Sequence, residues 1–271
     1  MLAATALRRS GSIYRRTVEG GLYLEGVIGS PLFWLFAATG IVLTGISKSG
    51  FAGGAGVVAV PLLALVIPVP TAVFLMLPLL LVMDVRTIQY YRRHASWREL
   101  RAILPPAMAG IVAGGLLLGA LPDTLLKLLL GLVSIVFALW QQLAPWLGNM
   151  RGASWLWGGI SGLTSTLLHA GGPPINIYLI ARNLPKLTWL ATAGIFFGVM
   201  NAIKVVPYVL SGQWPLWLVW LSLALVPIAL LGTWLGRRIQ GRISDRQFTL
   251  SCRVLLLASG LLLVLQALAQ Y

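Results

Sequence analysis

Two stretches of this sequence gather hydroxyls, glycines and a cation or imidazole in the middle of apolar runs. The first reads Thr44-Gly45-Ile46-Ser47-Lys48-Ser49-Gly50, followed by Gly53, Gly54 and Gly56. The second reads Ser161-Gly162-Leu163-Thr164-Ser165-Thr166, then His169, Gly171, Gly172, Pro173, Pro174 and Asn176. Proline lacks the N–H and clashes with the preceding turn, so Pro173-Pro174 cannot continue a helix running through 160–168. Glycine lets a chain leave or enter a helix through the left-handed region. Both stretches therefore predict a helix break inside an apolar run. A break frees backbone N–H groups, and helix N-termini that present free N–H groups make anion sites without any charged residue. Ser47, Ser49, Thr164, Ser165, Thr166 and Asn176 are placed to add further donors. The competing reading for the glycines is close helix packing, and for the hydroxyls a bond back to their own helix.

Five residues stand out because charged, amide and imidazole groups are costly in an apolar run. A lysine at the centre of a membrane helix costs at least about 2.5 kcal/mol. Lys48 reads either as the partner of an anionic solute or as the tip of a short loop among lipid headgroups. Asp84 is the only acid well inside an apolar run, with Asn201 and Lys204 in a corresponding later run. Asp84 is either a structural ion-pair partner of Arg86, Lys48 or Lys204, or a carboxylate that couples transport to a second ion. His169 reads as a proton-linked switch or as a hydrogen-bonding residue at a helix end. Cys252 is the single cysteine, which excludes an internal disulfide and a thiolate metal cluster. No metal and no cofactor are expected.

The elements that must position these residues are set by composition. Of the 271 residues 58% are hydrophobic and only 10% charged, against roughly 25% charged in soluble domains. Such a chain cannot cover itself with a water-compatible surface, so its outside faces lipid. Apolar runs occupy about 31–47, 50–67, 71–90, 102–121, 125–147, 154–168, 172–182, 188–210, 215–236 and 247–269. A full crossing needs about 20 residues, and several of these runs fall short. The expectation is an all-α polytopic membrane protein with 8–10 membrane segments, in which the short pairs 31–67 and 154–182 are broken helices or re-entrant hairpins.

Sliding the sequence on itself by 117 residues aligns Gly45 with Gly162, Gly54 with Gly171, Pro68 with Pro185 and Thr71 with Thr188. In the same register Asp84 meets Asn201, Tyr91 meets Tyr208 and Trp97 meets Trp214. Apolar composition aligns leucines readily, but not proline, tyrosine, tryptophan and an Asp/Asn pair together. The reading is a duplication: a basic N-terminal arm at 1–30, a first half at 31–147 and a second at 148–271, forming one transmembrane domain. The formal charge of +14 is carried by clusters between apolar runs, which is the positive-inside pattern rather than a nucleic-acid surface. The clusters Arg92 to Arg101 and Arg237 to Arg246 occupy non-equivalent positions in the two halves. Both lie in the cytoplasm only if the second half is inverted, a common transporter plan. The basic N-terminal arm then falls outside, which runs against the inversion.

With these residues laid out, the chain resembles the TauE/SafE family of sulfite exporters. Thr44-Gly45 to Pro61, its echo Gly159 to Asn176, and the pair Asp84 and Asn201 carry the resemblance. It implies a multi-pass protein of a bacterial-type plasma membrane that exports or imports small sulfur-containing anions such as sulfite or sulfonates. The expected mechanism is alternating access by two halves rocking about a site near the midplane. Its substrate-binding residues would be Ser47, Lys48, Ser49, Gly53, Gly54, Gly56, Thr164, Ser165, Thr166, His169, Gly171, Gly172 and Asn176. The coupling or ion-pair candidates are Asp84, Asn201 and Lys204. The expected partners are the small anion and membrane lipid, with no nucleic acid, and a homodimer is left open. Three rivals remain. The first is a carrier of another small solute or ion, including a cation or metal; a cation site would want facing carboxylates, and only Asp84 lies in a run. An intramembrane enzyme would want an acid cluster or a nucleophile with an oriented base, and His169 near Ser165 has no evident orienting carboxylate. A scaffold would show no solute flux.

Overall fold

The computed structural model describes residues 26, 28–50, 58–139, 147–239 and 244–270, and no strand occurs among them. Most of the basic arm lies outside the described residues, as do Gly53, Gly54 and Gly56. The helices are α1 (Pro31–Gly50), α2 (Ala59–Ala64), α3 (Val69–Tyr91), α4 (Trp97–Leu117) and α5 (Asp123–Leu139), then α6 (Ala153–Leu168), α7 (Gly172–Ala181), α8 (Lys186–Leu210), α9 (Leu216–Ile239) and α10 (Asp245–Leu268). Proline sets several starts, because its fixed φ suits the first turn and its missing N–H would be unpaired there anyway. Pro31 begins α1, Pro68 precedes α3 and Pro185 precedes α8. Ser244 caps α10, its hydroxyl accepting the Gln247 N–H.

Six of these helices have the length and apolar composition to cross a bilayer: α1, α3 with the turn after it, α4, α8, α9 and most of α10. Their outward faces carry Leu, Val and Trp side chains, among them Leu35, Val112, Leu116, Val209, Trp220 and Leu265. An apolar surface of that kind on several helices is at home in hydrocarbon, not in water.

The α6–α7 pair is a helical hairpin. The α-carbon of Gly171, at its turn, sits against Ser161 and Ser165 of α6, while Gly148, just before α6, sits against Ile177 and Ala181 of α7. The chain thus enters along α6 and returns along α7, so the expected break is a turn rather than a kink in one continuing helix. The left-handed residue at that turn is His169, at φ 51°, where glycine had been expected. Its imidazole donates to the Val73 carbonyl through Nε2 at 2.8 Å, which anchors a conformation that costs a non-glycine residue roughly 1–2 kcal/mol.

Glycine also sets how the long helices pack. On α1 and α9, a Cβ on Gly45 would lie 2.9 Å from the Gly232 backbone, and one on Gly50 would lie 2.2 Å from the Gly236 carbonyl. On α4 and α6, a Cβ on Gly162 would lie 2.0 Å from the Ala107 carbonyl, and one on Gly110 would lie 2.1 Å from that of Gly159. In lipid, where no hydrophobic force drives helices together, such backbone contact supplies the dispersion that does. Helices α3 and α8 cross antiparallel at the centre: Gly194 faces Thr87, Gly198 faces Ile88 and Asp84, and Asn201 meets Asp84.

Candidate functional site

The crossing of α3 and α8 brings the charged groups together. Asp84, buried on α3, takes the Lys48 ammonium on one carboxylate oxygen and the Asn201 amide on the other, the latter at 2.5 Å. Lys48 lies in the last turn of α1, where a cation also complements the negative end of the helix dipole. It is paired inside the protein, so the headgroup reading of Lys48 does not hold. Its ammonium also sits 5.5 Å from the centroid of the Phe197 ring, within cation–π range. Of the three bases that stood as partners for Asp84, Lys48 is the one that reaches it; Arg86 is exposed and meets Gln89.

Lys204 is fully buried one turn beyond Asn201. Its ammonium donates to the Ser165 carbonyl at 3.2 Å, the Ser165 hydroxyl at 2.9 Å and His169 Nδ1 at 2.8 Å. With Nε2–H given to Val73, His169 is bonded at both ring nitrogens. A cation surrounded by neutral acceptors is uncommon in a buried site, because an unpaired charge there is expensive.

Several contacts recur 117 residues apart. Tyr91 donates to the Ser49 carbonyl at 2.6 Å, and Tyr208 donates to the Thr166 carbonyl at 2.7 Å. Thr87 approaches the Lys48 carbonyl at 3.4 Å, and Lys204, at the same place in the second half, reaches the Ser165 carbonyl at 3.2 Å.

Between these groups lies a cavity of about 50 Å³ for the centre of a water-sized sphere, on a scale where one water needs roughly 10–15 Å³. It has room for a few waters or one small ion. Its polar lining comes from Lys48, Asp84, Thr87, Ser165, His169 and Asn201, and the rest is largely apolar, including Met76, Leu80, Trp189 and Phe197. Of the expected site residues, Lys48, Ser165, His169, Gly172, Asp84 and Asn201 line this cavity.

The others stand apart from it. Ser49 bonds the Gly45 and Thr233 carbonyls, Thr164 those of Ile160 and Ala170, and Thr166 that of Gly162. Such bonds are the usual use of a hydroxyl in a membrane helix. Ser47 Oγ and Asn176 Oδ1 are buried without a hydrogen-bond partner among the described residues. Gly171 packs on Ser161. Of the first three residues of α7 only Gly172 has an N–H, since Pro173 and Pro174 have none. Thr87 was not singled out beforehand, although the 117-residue register pairs it with Lys204 and would have found it. Met76, Trp189 and Phe197 carried no signal, being ordinary apolar residues of apolar runs.

Spanning helices packed around a buried, charged, ion-sized cavity define a polytopic membrane protein of the transporter class. The sequence profile of the family described as sulfite exporter TauE/SafE matches residues 36–263, and the chain belongs to that family. It is 31% identical over 179 residues to the probable inner membrane transporter protein TsaS of Comamonas testosteroni, covering 62% of this chain and 72% of that protein. No solved structure matches it. The protein is therefore a multi-pass plasma-membrane transporter of the TauE/SafE type and not an enzyme.

Proposed function

We infer that the protein moves a small sulfur-containing anion, sulfite or an organosulfonate, by alternating access, with the anion seated at Lys48 in the cavity between α3 and α8. One observation carries this reading: Lys48 is the cation that lines an otherwise largely apolar, ion-sized cavity. An ammonium released from Asp84 in such surroundings attracts an anion more strongly than it would in water. Asn201 and Ser165 offer further hydrogen bonds to its oxygens, while the Thr87 hydroxyl is given to the Met83 carbonyl at 3.0 Å. The apolar part of the lining suits a small organic body on the anion. Lys204 is the second cation, held behind Ser165 and His169.

The same reading takes the chain as two inverted halves that rock about the Asp84–Asn201 contact. Three observations support it. Residues equivalent in the 117-residue register meet where α3 and α8 cross antiparallel. The tyrosine bonds to Ser49 and Thr166 repeat in that register. The basic clusters also gather at one end of the bundle: Arg237 stacks 4.5 Å over Tyr90 beside the Arg92–His94 turn, and Arg182 lies 3.7 Å from Glu99. Counterflow in proteoliposomes with labelled sulfite, sulfate, thiosulfate and methanesulfonate tests the reading. Exchange of at least one sulfur anion above protein-free vesicles is expected, and exchange of none of the four overturns it.

A further inference from the structure

The ion pair at the centre of the cavity sets a competition. Asp84 is 3% exposed and Lys48 12% at the side chain. The charged and titratable groups around Asp84 come from each element packed there. Helix α1 supplies Lys48, α8 supplies Asn201 and then Lys204, and the end of α6 supplies His169. On α3 itself, Arg86 is exposed and turned to Gln89. Lys204 is occupied by Ser165 and His169. Lys48 is thus the one cation, among the described residues, that Asp84 and an entering anion both require.

An anion that takes the Lys48 ammonium leaves Asp84 a buried carboxylate facing a neutral amide. Buried carboxylates without a counter-charge are neutralised by a proton rather than tolerated. Asn201 suits both states, since an amide donates through its NH₂ to the carboxylate and accepts through its carbonyl from the carboxylic acid. We propose that Asp84 is a proton-binding site and that each monovalent anion crosses together with one proton, an inference that rests on the anion reading above. The balance closes. The empty site holds the Lys48 ammonium and a carboxylate, the loaded site holds that ammonium, the anion and a carboxylic acid, and Lys204 is a cation in both, so the charge of the site is the same in the two states. On release the anion leaves Lys48, Asp84 gives up its proton on the same side, and the ion pair re-forms.

The test uses the full chain in liposomes containing a pH dye, with the membrane potential clamped. The probes are methanesulfonate and ethanesulfonate, monovalent anions that stay fully ionised near neutral pH and carry no proton as weak acids. Uptake of either is expected to acidify the lumen, and an inward proton gradient is expected to drive its accumulation. In Asp84→Asn, net uptake is expected to fall about tenfold further than anion exchange does, because the empty site then carries an unpaired charge that resists reorientation. Acidification is expected to disappear in that variant. Anion uptake by the unaltered protein without proton movement overturns the inference whatever the variant does, as does proton coupling that survives Asp84→Asn. Absence of flux with both probes also overturns it, while sulfite counterflow in the same vesicles would leave the anion reading standing.

Discussion

Lys48 and Asp84 neutralise each other within a largely apolar cavity, so removing one strands the other. Breaking a buried pair from one side costs about 3–5 kcal/mol, whereas replacing both partners with apolar groups is often neutral. Lys48→Ala is expected to abolish anion counterflow and to lower the thermal midpoint in detergent while still inserting. Lys48→Ala combined with Asp84→Ala is expected to recover most of that midpoint and none of the flux. Wild-type flux in a correctly inserted Lys48→Ala protein would remove Lys48 from the site. Recovery of stability without flux separates a substrate-binding lysine from one kept for folding. His169 makes a different contribution: it holds the α6–α7 turn through Val73 and orients Lys204 from the other ring nitrogen.

The helices are held at distances that only glycine permits, and the consequences differ from position to position. A methyl group on Gly162 would fall 2.0 Å from the Ala107 carbonyl, where a backbone must move. A methyl group on Gly159, one turn earlier, would meet its nearest neighbour at 3.7 Å, an ordinary contact. Gly162→Ala is therefore expected to destabilise the protein by about 1–3 kcal/mol through overpacking. Gly159→Ala is expected to change stability little, and thermal denaturation of the two purified variants compares them. Equal midpoints would mean that α4 and α6 do not rely on this approach. The α6–α7 hairpin shows why the short apolar runs were ambiguous. Pro173-Pro174 forbids continuation of α6, but a break in sequence does not say whether the chain goes on or turns back. That was decided by the seat of Gly148 against α7 and of His169 against α3.

Across the whole molecule, Arg237 in the last turn of α9 lies at the same end of the bundle as the Arg92–His94 turn after α3, which the positive-inside rule assigns to the cytoplasm. The opposite end carries Gln213 in the turn after α8, and Asp123 at the start of α5, which accepts the Val69 N–H at 2.7 Å. The buried Cys252 can be replaced to give a cysteine-free background. There, Gln213→Cys is expected to react with a membrane-impermeant maleimide applied to whole cells, and Arg93→Cys only after the membrane is opened. Labelling of both from the same side would sink the inverted arrangement. Composition alone fixed that the chain lives in lipid, because so few charges cannot make a water-facing surface. Pro31, Pro68 and Pro185 marked where helices start, because that effect is local to the backbone. The residues of the site were partly visible, since Lys48, Asp84, Asn201 and Lys204 are conspicuous in apolar runs. Which cation Asp84 chooses, which hydroxyls turn back to carbonyls, and that Met76, Trp189 and Phe197 wall the cavity were decided only by the packing of α1, α6 and α8 against α3. Those are distances between segments far apart in the chain, and no local pattern encodes them.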